Sequence, residues 1–525
     1  MHIRPVIASI GLMAGTLVAL SGTTAQAAIT RYEAESSTAV CTGTIDSDWT
    51  GYSGSGFCNG TNAAGAYAQF TVNAATSGTA TLNIRFANGT ATARPTSLVV
   101  NGSTVQSPSF ETTGTWSAWA TKTLTVPLNA GSNTIRLNPT ASGGLPNIDY
   151  LEVDTGGSTT PPTSGALYVA PNGTDGAAGT QSAPTTLTSA ISRIAAGGTI
   201  YMRGGTYNYS STVTIPAGSD GTAGTRTTLS AYPGETPVLN FSAQSESSSN
   251  RGIQLNANYW HVYGLTVEHA GDNGIYVGGS NNVIERTVTA YNRDTGLQLG
   301  RISSSTPSSQ WPSNNLIVSA ESHDNADSDG EDADGFAAKL TTGTGNVFRY
   351  DVSHNNIDDG WDLYTKTDTG AIGPVTIEYS LSYNNGTLSD GTVNANGDRN
   401  GYKLGGDDIA VDHVVQHNIA YHNGHHGFTY NSNPGTMTVS NNVGIDNAQR
   451  NFSFDAGTSV FRNDTSCRFA VSGSNDKTVG NTDSSDQFWT GSNGSRCSSY
   501  SGALGWSYAA DGHLVVTFGG TPVTP

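Results

Sequence analysis

Charged residues are scarce in this chain, at 12% of its 525 residues, and basic residues are the rarer kind. Lysine and arginine total 23 against 41 aspartates and glutamates, which leaves a formal net charge of −18. No basic stripe is available to neutralise phosphates, and this argues against nucleic acid as a partner. A polyanionic substrate would be repelled too, unless a bound divalent cation relieved the repulsion locally.

Long apolar runs are missing beyond the first residues. Arg4 precedes an apolar stretch from Val6 to Leu20, and Ala25-Gln26-Ala27 has the small residues of a cleavage site. That stretch is too short for a transmembrane helix, so we expect residues 1–27 to be a secretory signal peptide. No later stretch is apolar enough to span a bilayer. We therefore expect a secreted, extracellular protein that makes no membrane contact and is a monomer.

Cysteine is also rare, with four residues that fall into two local pairs. Four cysteines allow three connectivities, but pairing within each half is the natural one for an exported chain. We therefore predict the disulfides Cys41–Cys58 and Cys467–Cys497, with a purely structural role.

Glycine is abundant, at 65 residues, in a composition that disfavours helix and suits strands joined by turns. About 500 residues remain after the signal peptide, which is too many for one ordinary core and predicts at least two domains. Residues 155–165, rich in Gly, Ser, Thr and Pro, are typical of a linker. Before the linker, residues 28–154 contain short alternating runs such as 80–86 and 133–137, which predict a small β-sandwich.

Three segments of this sandwich resemble the carbohydrate-binding modules of family 35. They are Tyr32-Glu33-Ala34-Glu35, Gly114-Thr115-Trp116-Ser117-Ala118-Trp119 and Pro146-Asn147-Ile148-Asp149-Tyr150-Leu151. The resemblance implies a structural calcium held by Glu33, Glu35 and Asp149, and such an ion accepts carboxylate oxygens of this kind. It also implies a sugar site, for which Trp116 and Asn147 are the candidates, whereas we interpret Trp119 as a core residue.

A repeat organises the second domain, which we place at residues 166–525. It consists of a glycine, a bulky apolar residue, a polar residue and a smaller apolar residue. The copies are Gly274-Ile-Tyr-Val277, Gly296-Leu-Gln-Leu299, Gly335-Phe-Ala-Ala338, Gly360-Trp-Asp-Leu363, Gly401-Tyr-Lys-Leu404 and Gly427-Phe-Thr-Tyr430. Their spacing, roughly 22–26 residues with two intervals of about 40, predicts an all-β, right-handed parallel β-helix built of stacked turns, or rungs.

Asparagines recur in the same phase as this repeat. They are Asn292, Asn325, Asn356, Asn385, Asn423 and Asn447. Stacked amides can bond to one another and to the backbone at a buried turn, so we predict an asparagine ladder.

Acidic residues share two positions of the repeat. The residues one and three after each glycine are expected to point inward, and the residue two after it outward. Asp334 and Asp359 precede glycines of adjacent rungs, with Asp358 beside Asp359, and Asp362 and Lys403 follow glycines by two residues. Four carboxylates and one lysine therefore converge, and a calcium ion would relieve the repulsion among the carboxylates.

Residues 166–460 resemble a family 9 polysaccharide lyase of the pectate lyase type. The matching segments are Ala333-Asp334-Gly335-Phe336 with Lys339, Asp358-Asp359-Gly360-Trp361-Asp362, and Asn400-Gly401-Tyr402-Lys403-Leu404-Gly405-Gly406. The resemblance implies that Asp334, Asp358, Asp359 and Asp362 bind a catalytic calcium and that Lys403 is the base. We predict Lys339 and Arg399 as cations for other uronate carboxylates.

The implied reaction is β-elimination on pectate, or polygalacturonate. The ion stabilises the charge that develops on the uronate carboxylate when the C5 proton is removed, and a neutral lysine beside it can accept that proton. Activity should favour alkaline pH. The sandwich module should bind plant cell wall uronides.

Three alternatives stay open. A lyase acting on rhamnogalacturonan or another uronan would use the same site. An inverting polygalacturonase would need two carboxylates with room for a water between them. A non-catalytic sugar-binding β-helix protein would leave the lysine unexplained.

Overall fold

The computed structural model describes residues 30–63, 65–74, 78–154, 165–469 and 473–524. The predicted signal peptide and all of the predicted linker but Gly165 lie outside these residues. Contacts divide the chain into two compact units, Met1–Pro161 and Pro162–Pro525. No helix in the described ranges is long and apolar enough to cross a membrane.

The first unit is a sandwich of two antiparallel sheets, in agreement with the prediction. One sheet contains β1 (Thr30–Glu33), β3 (Gly43–Asp46), β4 (Phe57–Gly60), β6 (Gly78–Ala87), β10 (Ala120–Leu128) and β12 (Asn147–Asp154). The other contains β2 (Ala39–Cys41), β5 (Ala68–Ala74), β7 (Arg94–Val100), β8 (Ser103–Gln106), β9 (Ser109–Phe110) and β11 (Gly131–Pro139). Buried and exposed residues alternate along β5 and β7, so each sheet turns one apolar face to the core. The predicted disulfide Cys41–Cys58 is confirmed and links the two sheets.

The second unit is a right-handed parallel β-helix with three sheets. The first sheet contains β13 (Ala166–Val169), β14 (Thr199–Met202), β17 (Thr227–Ala231), β20 (Trp260–Tyr263), β23 (Val283–Glu285), β26 (Leu316–Val318), β29 (Asn346–Arg349), β32 (Val375–Glu378), β35 (Val414–Gln416), β38 (Thr438–Ser440) and β41 (Val460–Arg462). The second contains β15 (Gly205–Asn208), β18 (Pro237–Asn240), β21 (Thr266–Glu268), β24 (Val288–Ala290), β27 (Glu321–His323), β30 (Val352–His354), β33 (Leu381–Tyr383), β36 (Ile419–Tyr421), β39 (Val443–Ile445) and β42 (Thr465–Cys467). The third contains β16 (Val213–Ile215), β19 (Ile253–Leu255), β22 (Ile275–Val277), β25 (Leu297–Leu299), β28 (Phe336–Ala338), β31 (Trp361–Asp362), β34 (Tyr402–Lys403), β37 (Phe428–Thr429), β40 (Phe452–Phe454) and β43 (Lys477–Thr478).

The six glycine repeats correspond to six consecutive strands of the third sheet, β22 to β37. Their bulky residues point inward as predicted and stack along the axis. Phe336, Trp361, Tyr402, Phe428 and Phe452 form one column, with ring centroids 4.7 to 5.0 Å apart. This spacing matches the distance between neighbouring strands, so the rings form a continuous apolar layer of the core against the inner face of the third sheet.

The predicted asparagine ladder is confirmed. Each side-chain amide from Asn292 to Asn423 donates to the side-chain oxygen of the next rung at 2.8 to 3.0 Å. The same amides also lie within bonding distance of backbone carbonyls, so the buried turn has its polar groups satisfied.

The two ends of the unit carry additional elements. An α-helix, α1 (Leu187–Arg193), is capped by Thr186 and buries Leu187, Ala190 and Ile191 against the first rungs. At the other end, β44 (Leu504–Tyr508), β45 (Leu514–Phe518) and β46 (Thr521–Val523) form an antiparallel sheet. The predicted domain 166–525 is thus a parallel β-helix only as far as β43.

This antiparallel sheet, which sequence reasoning did not predict, covers the outer face of the second sheet. Val516 and Phe518 join an apolar cluster with Val352 and Leu381. The Tyr508 hydroxyl donates to the carbonyl of Ala320 at 2.8 Å. The disulfide Cys467–Cys497 is confirmed and ties the last rung to the segment that leads into this sheet.

Candidate active site

The predicted acidic residues meet at the edge of the third sheet. Asp334 and Asp359 occupy equivalent positions in adjacent rungs, because Phe336 pairs with Trp361 in the parallel register. Asp334, Asp358 and Asp359 are buried, and each offers a carboxylate oxygen within 4.8 Å of the others. Residues 25 positions apart in sequence are therefore close enough to share one cation.

The fourth aspartate and the lysine lie on neighbouring strands. Asp362 on β31 pairs with Lys403 on β34, which confirms the predicted register. Trp361 and Tyr402, one position earlier, point into the core, so Asp362 and Lys403 point out of it. Neighbouring residues nevertheless leave the side chains of Asp362 and Lys403 only 4% and 7% exposed.

Backbone and side-chain donors hold the carboxylates in place. Asp358 accepts the backbone N–H of Asp398 at 2.5 Å, and Asp359 accepts the backbone and side-chain N–H groups of Asn400 at 2.6 and 3.0 Å. Two buried oxygens have no hydrogen-bond partner: Asp362 Oδ1, and Asp359 Oδ2, which lies 3.2 Å from Lys403 Nζ. These oxygens fit a hard divalent cation, since calcium binds six to eight oxygen ligands.

Burying these carboxylates in their charged form costs free energy. Burial raises the pKa of Asp334 to about 7, although the ammonium of Lys339 opposes the effect. Burial, together with the charges of Asp359 and Asp334, raises the pKa of Asp358 well above its usual range. Burial likewise raises the pKa of Asp359, against the opposing charge of Lys403.

Lys403 is surrounded by carboxylates. Its Nζ lies 2.8 Å from Asp398, 3.2 Å from Asp359 and 3.8 Å from Asp362. Burial disfavours its ammonium, but the charges of Asp362, Asp359, Asp358 and Asp398 outweigh burial and raise the pKa of Lys403. Asp398 was missed by sequence reasoning, because it lies two residues before Asn400 in a loop outside the repeat, where no periodic signal marks it.

The other predicted cations lie close to the cluster. Lys339 Nζ is 2.7 Å from Asp334 and 3.6 Å from Asp362, so this lysine lies within the acidic cluster. Arg399 contributes its backbone N–H, which lies 3.3 Å from Asp358 Oδ1. The stem of the Arg399 side chain packs against Gly386 and Gly424, where any larger side chain would overlap it.

In the sandwich unit, the predicted calcium ligands surround the Ser53–Ser55 loop. Glu33 accepts the Ser53 hydroxyl at 2.7 Å, Asp149 accepts the Ser53 backbone N–H at 3.0 Å, and Glu35 accepts the Ser55 backbone N–H at 2.7 Å. Burial raises the pKa of Asp149 to about 6, although the Ser53 bonds and Arg85, at 3.3 Å, oppose it. The three carboxylates surround one loop, but unlike Asp334, Asp358 and Asp359 they do not form a described group whose ligand oxygens all lie within 4.8 Å of one another, and most of their oxygens already have partners.

The predicted sugar-binding residues are at one end of the sandwich. Trp116 packs directly over Gly89, and the guanidinium of Arg94 lies 5.1 Å from its ring centroid. Arg94 donates to the carbonyl of Leu145, two residues before the buried Asn147. Sequence reasoning missed Arg94, whose pKa is lowered by burial and which has no carboxylate partner among the described residues.

Trp119, which we interpreted as a core residue, is half-buried and is not part of the buried apolar cluster of the sandwich. Its indole N–H donates to the carbonyl of Thr50 at 3.0 Å, and its ring packs edge-on against Phe57.

Two family models match the chain. One, described as a Pel9A-like, right handed beta helix region, matches residues 167–465, and the other, carbohydrate binding module (family 35), matches residues 30–156. Pectate lyase L of Paenibacillus polymyxa is 55% identical over 66% of this chain and 78% of its own length. Pectate lyase L of Thermoclostridium stercorarium is 45% identical over 56% of this chain but only 24% of its own length.

Solved structures show the same likeness. The crystal structure of pectate lyase Pel9A superimposes with a TM-score of 0.57 at 30% identity, over 67% of this chain and 88% of that one. A rhamnogalacturonan lyase superimposes with a TM-score of 0.56 over 68% of this chain and 96% of that one. At 22% identity, the second likeness shows the fold alone.

Proposed function

This chain belongs to the Pel9A-like right-handed β-helix family and is a polysaccharide lyase with a family 35 carbohydrate-binding module, and we propose that it is a secreted, calcium-dependent pectate lyase. The observation that carries the proposal is the convergence of four aspartates and Lys403 on adjacent rungs of the third sheet. Similarity to pectate lyases along two thirds of the chain supports the same substrate class.

Asp334, Asp358, Asp359 and Asp362 are the residues that would hold the calcium. The buried Asp362 Oδ1, which has no hydrogen-bond partner, and the close approach of three carboxylates support this assignment. When bound, the ion would supply Lewis-acid stabilisation of the charge that develops on the uronate carboxylate.

Lys403 is the proposed base. Its Nζ would take the C5 proton of a uronate, the electrons of the C5–H bond would form the C4–C5 double bond, and the C4–O bond would break. Asp398 and Asp359 hold the amine at the edge of the cluster. Since the neighbouring carboxylates favour the ammonium and a base must be neutral, we expect activity to increase toward alkaline pH.

The sandwich module would bind uronic acid or its unsaturated product in plant cell walls. A buried arginine without a carboxylate partner, beside a tryptophan face, suits a sugar that carries a carboxylate. The calcium of this module, on Glu33, Glu35 and Asp149, is part of the same proposal. A linked module raises the local concentration of substrate without adding catalytic contacts.

Incubation with polygalacturonate, with calcium or with a chelator, tests the reaction class. We expect absorbance from unsaturated uronide ends with calcium and none in the chelator. Saturated reducing ends formed in the chelator would establish a polygalacturonase instead. No product under either condition would favour a sugar-binding protein.

A substrate panel tests the proposed specificity. Polygalacturonate, methylated pectin and rhamnogalacturonan should be compared at equal uronate concentration. We expect the fastest release of unsaturated ends from polygalacturonate. A faster reaction on rhamnogalacturonan would assign the chain to the alternative lyase class.

A further inference from the structure

A tyrosine that the mechanism does not use lies beside the proposed base. Tyr364 follows Asp362 by two residues, and Lys403 Nζ is 5.4 Å from the centroid of its ring. The ring is half-buried, so part of it remains accessible to solvent and to a ligand. The carboxylates of Asp398, Asp359 and Asp362 contact Lys403 as well, so the ammonium has both acidic and aromatic neighbours.

The ring of Tyr364 is held by a dedicated set of contacts. Its hydroxyl donates to Asp407 Oδ1 at 2.9 Å. The other oxygen of Asp407 accepts the backbone N–H and hydroxyl of Thr367, at 2.8 and 3.0 Å. A side chain at Gly406 would overlap the ring, so glycine is required there. A half-exposed ring fixed at both its edge and its hydroxyl is preorganised to contact a ligand.

The backbone on both sides of the ring is fixed as well. The carbonyl of Tyr364 accepts the backbone N–H of Leu340 in the preceding rung at 2.8 Å. The hydroxyl of Thr365 donates to the carbonyl of Gly406 at 2.6 Å. Asp407 has a left-handed backbone, with φ of 49°, which turns its carboxylate back toward Tyr364.

We propose that Tyr364 is a substrate-positioning residue whose ring supports the uronate from which Lys403 removes the proton. Sugar rings present C–H groups on their faces, and an aromatic face offers a large apolar surface beside a few polar groups. The inference rests on the proposed function, because it takes Lys403 as the place where the sugar reacts. It adds an aromatic contact to a site otherwise built from charges.

The main rival is that Tyr364 only orients Lys403 through the contact between its ring and the ammonium. The two roles separate in a Lys403→Ala background, where no ammonium remains to be oriented. Calorimetric binding of trigalacturonate in the presence of calcium should then be compared between Lys403→Ala and the double variant Lys403→Ala/Tyr364→Ala. We expect about a tenfold weaker Kd in the double variant, the usual size of one good aromatic contact.

Further variants in the same background sharpen the test. Tyr364→Phe keeps the face and should bind nearly as well as the parent, whereas Tyr364→Leu fills the space without a flat face and should resemble Tyr364→Ala. Asp407→Ala releases both the Tyr364 hydroxyl and Thr367, and should weaken binding about two- to threefold. Tyr379→Ala is the matched control, because it removes another half-buried tyrosine, away from the third sheet. Tyr379 stacks on His417 and contacts Tyr350 at a tilt, and its loss should leave Kd unchanged.

Equal Kd values for Lys403→Ala with and without Tyr364→Ala or Tyr364→Leu would overturn the proposal, and would leave Tyr364 the role of orienting the base. Melting curves show whether each variant is folded, and the phenylalanine and leucine variants keep the comparison available if the alanine variant is not. Failure of the proposed function has another readout: the unaltered protein would release no unsaturated product from polygalacturonate with calcium.

Discussion

Each of the two units brings together acidic side chains from distant parts of the chain, but the groups that contact these side chains differ between the units. In the sandwich, Ser53, Ser55 and Arg85 already contact the carboxylates of Glu33, Glu35 and Asp149. One buried oxygen there, Glu35 Oε2, has no hydrogen-bond partner, and neither have Asp359 Oδ2 and Asp362 Oδ1 in the β-helix, where two lysines contact the cluster. The sandwich carboxylates hold a loop in place, whereas the β-helix carboxylates lie beside two lysines, an arrangement suited to chemistry.

Replacing Lys403 tests the reactive side of this comparison most strongly. Lys403→Ala should lower kcat by about 10³-fold or more with little change in KM, because only a transition-state interaction is lost. Lys403→Arg should be nearly as poor, since guanidinium stays protonated where an amine can act as a base. Steady-state kinetics on polygalacturonate at alkaline pH measure both.

Lys477→Ala is the matched control for Lys403, because Lys477 lies three strands farther along the third sheet and pairs with Asp455. It should change kcat less than about twofold, as an exposed ion pair contributes little. Full activity of Lys403→Arg would transfer the base role to another residue, with Lys339 the first to test.

Removing one carboxylate from each cluster contrasts the two units directly. Asp359→Ala should lower activity at least about 100-fold and weaken calcium binding by the β-helix, with a nearly unchanged melting temperature, because the aromatic column lies beneath it. Asp149→Ala should leave activity on soluble polygalacturonate unchanged and lower the melting temperature of the sandwich. Calcium titrations, kinetics and calorimetry of both variants check this. An Asp359→Ala enzyme that is fully active without calcium would show that the four aspartates are wrongly assigned.

Asp464 is a third kind of buried carboxylate, and it sharpens the comparison because its side chain forms no ion pair with the described residues, although Arg496 donates to its backbone carbonyl at 2.8 Å. Asp464 accepts the backbone and side-chain N–H groups of Asn442 through Oδ1, at 2.9 and 3.0 Å, as an asparagine of a ladder would. Its Oδ2 has no hydrogen-bond partner. In Asn442 the equivalent atom is the side-chain nitrogen, which donates to the carbonyl of Val415. Burial raises the pKa of Asp464 to about 8, so this carboxyl acts as a neutral acid.

The pH dependence of stability should therefore reveal Asp464. Between pH 3.8, where the carboxyl titrates in the unfolded chain, and about pH 8, the folded state binds more protons, so its stability falls as the pH rises. Asp464→Asn removes this loss and adds a donor, and should stabilise the β-helix by about 2–5 kcal/mol at pH 8 and far less at pH 4. Denaturant unfolding at both pH values measures the difference. Asp455→Asn, at an exposed position, should change stability by less than about 0.5 kcal/mol at either pH.

Loss of the module should have the smallest effect. Deleting residues 28–154, or replacing Trp116 with alanine, should slow release of product from plant cell wall about two- to tenfold and leave the rate on soluble polygalacturonate unchanged. Parallel assays on the two substrates test this. Equal losses on both would mean that the sandwich contributes to folding or catalysis of the β-helix.

Much of the β-helix could be predicted from sequence because its repeat is one-dimensional. Each rung contacts mainly its neighbours, so equal positions in the repeat become neighbours in space. This rule was enough to place Asp334 beside Asp359 and Asp362 beside Lys403, and to predict the asparagine ladder. It could not predict Asp398 or Tyr364, which lie in loops outside the repeat and reach Lys403 only through tertiary contacts.

The sequence by itself determined the stacking of the rungs, the register of the six repeats and the inward direction of their bulky residues, since the period of two along a strand and the recurring glycine leave one way to bury the apolar residues. The tertiary structure alone decided which of the outward charges are buried, which oxygens lack partners and which side chains surround Lys403. Loops beside the third sheet set those properties. The contacts of these loops join residues that do not share a position in the repeat, so the periodic pattern of the sequence does not predict them.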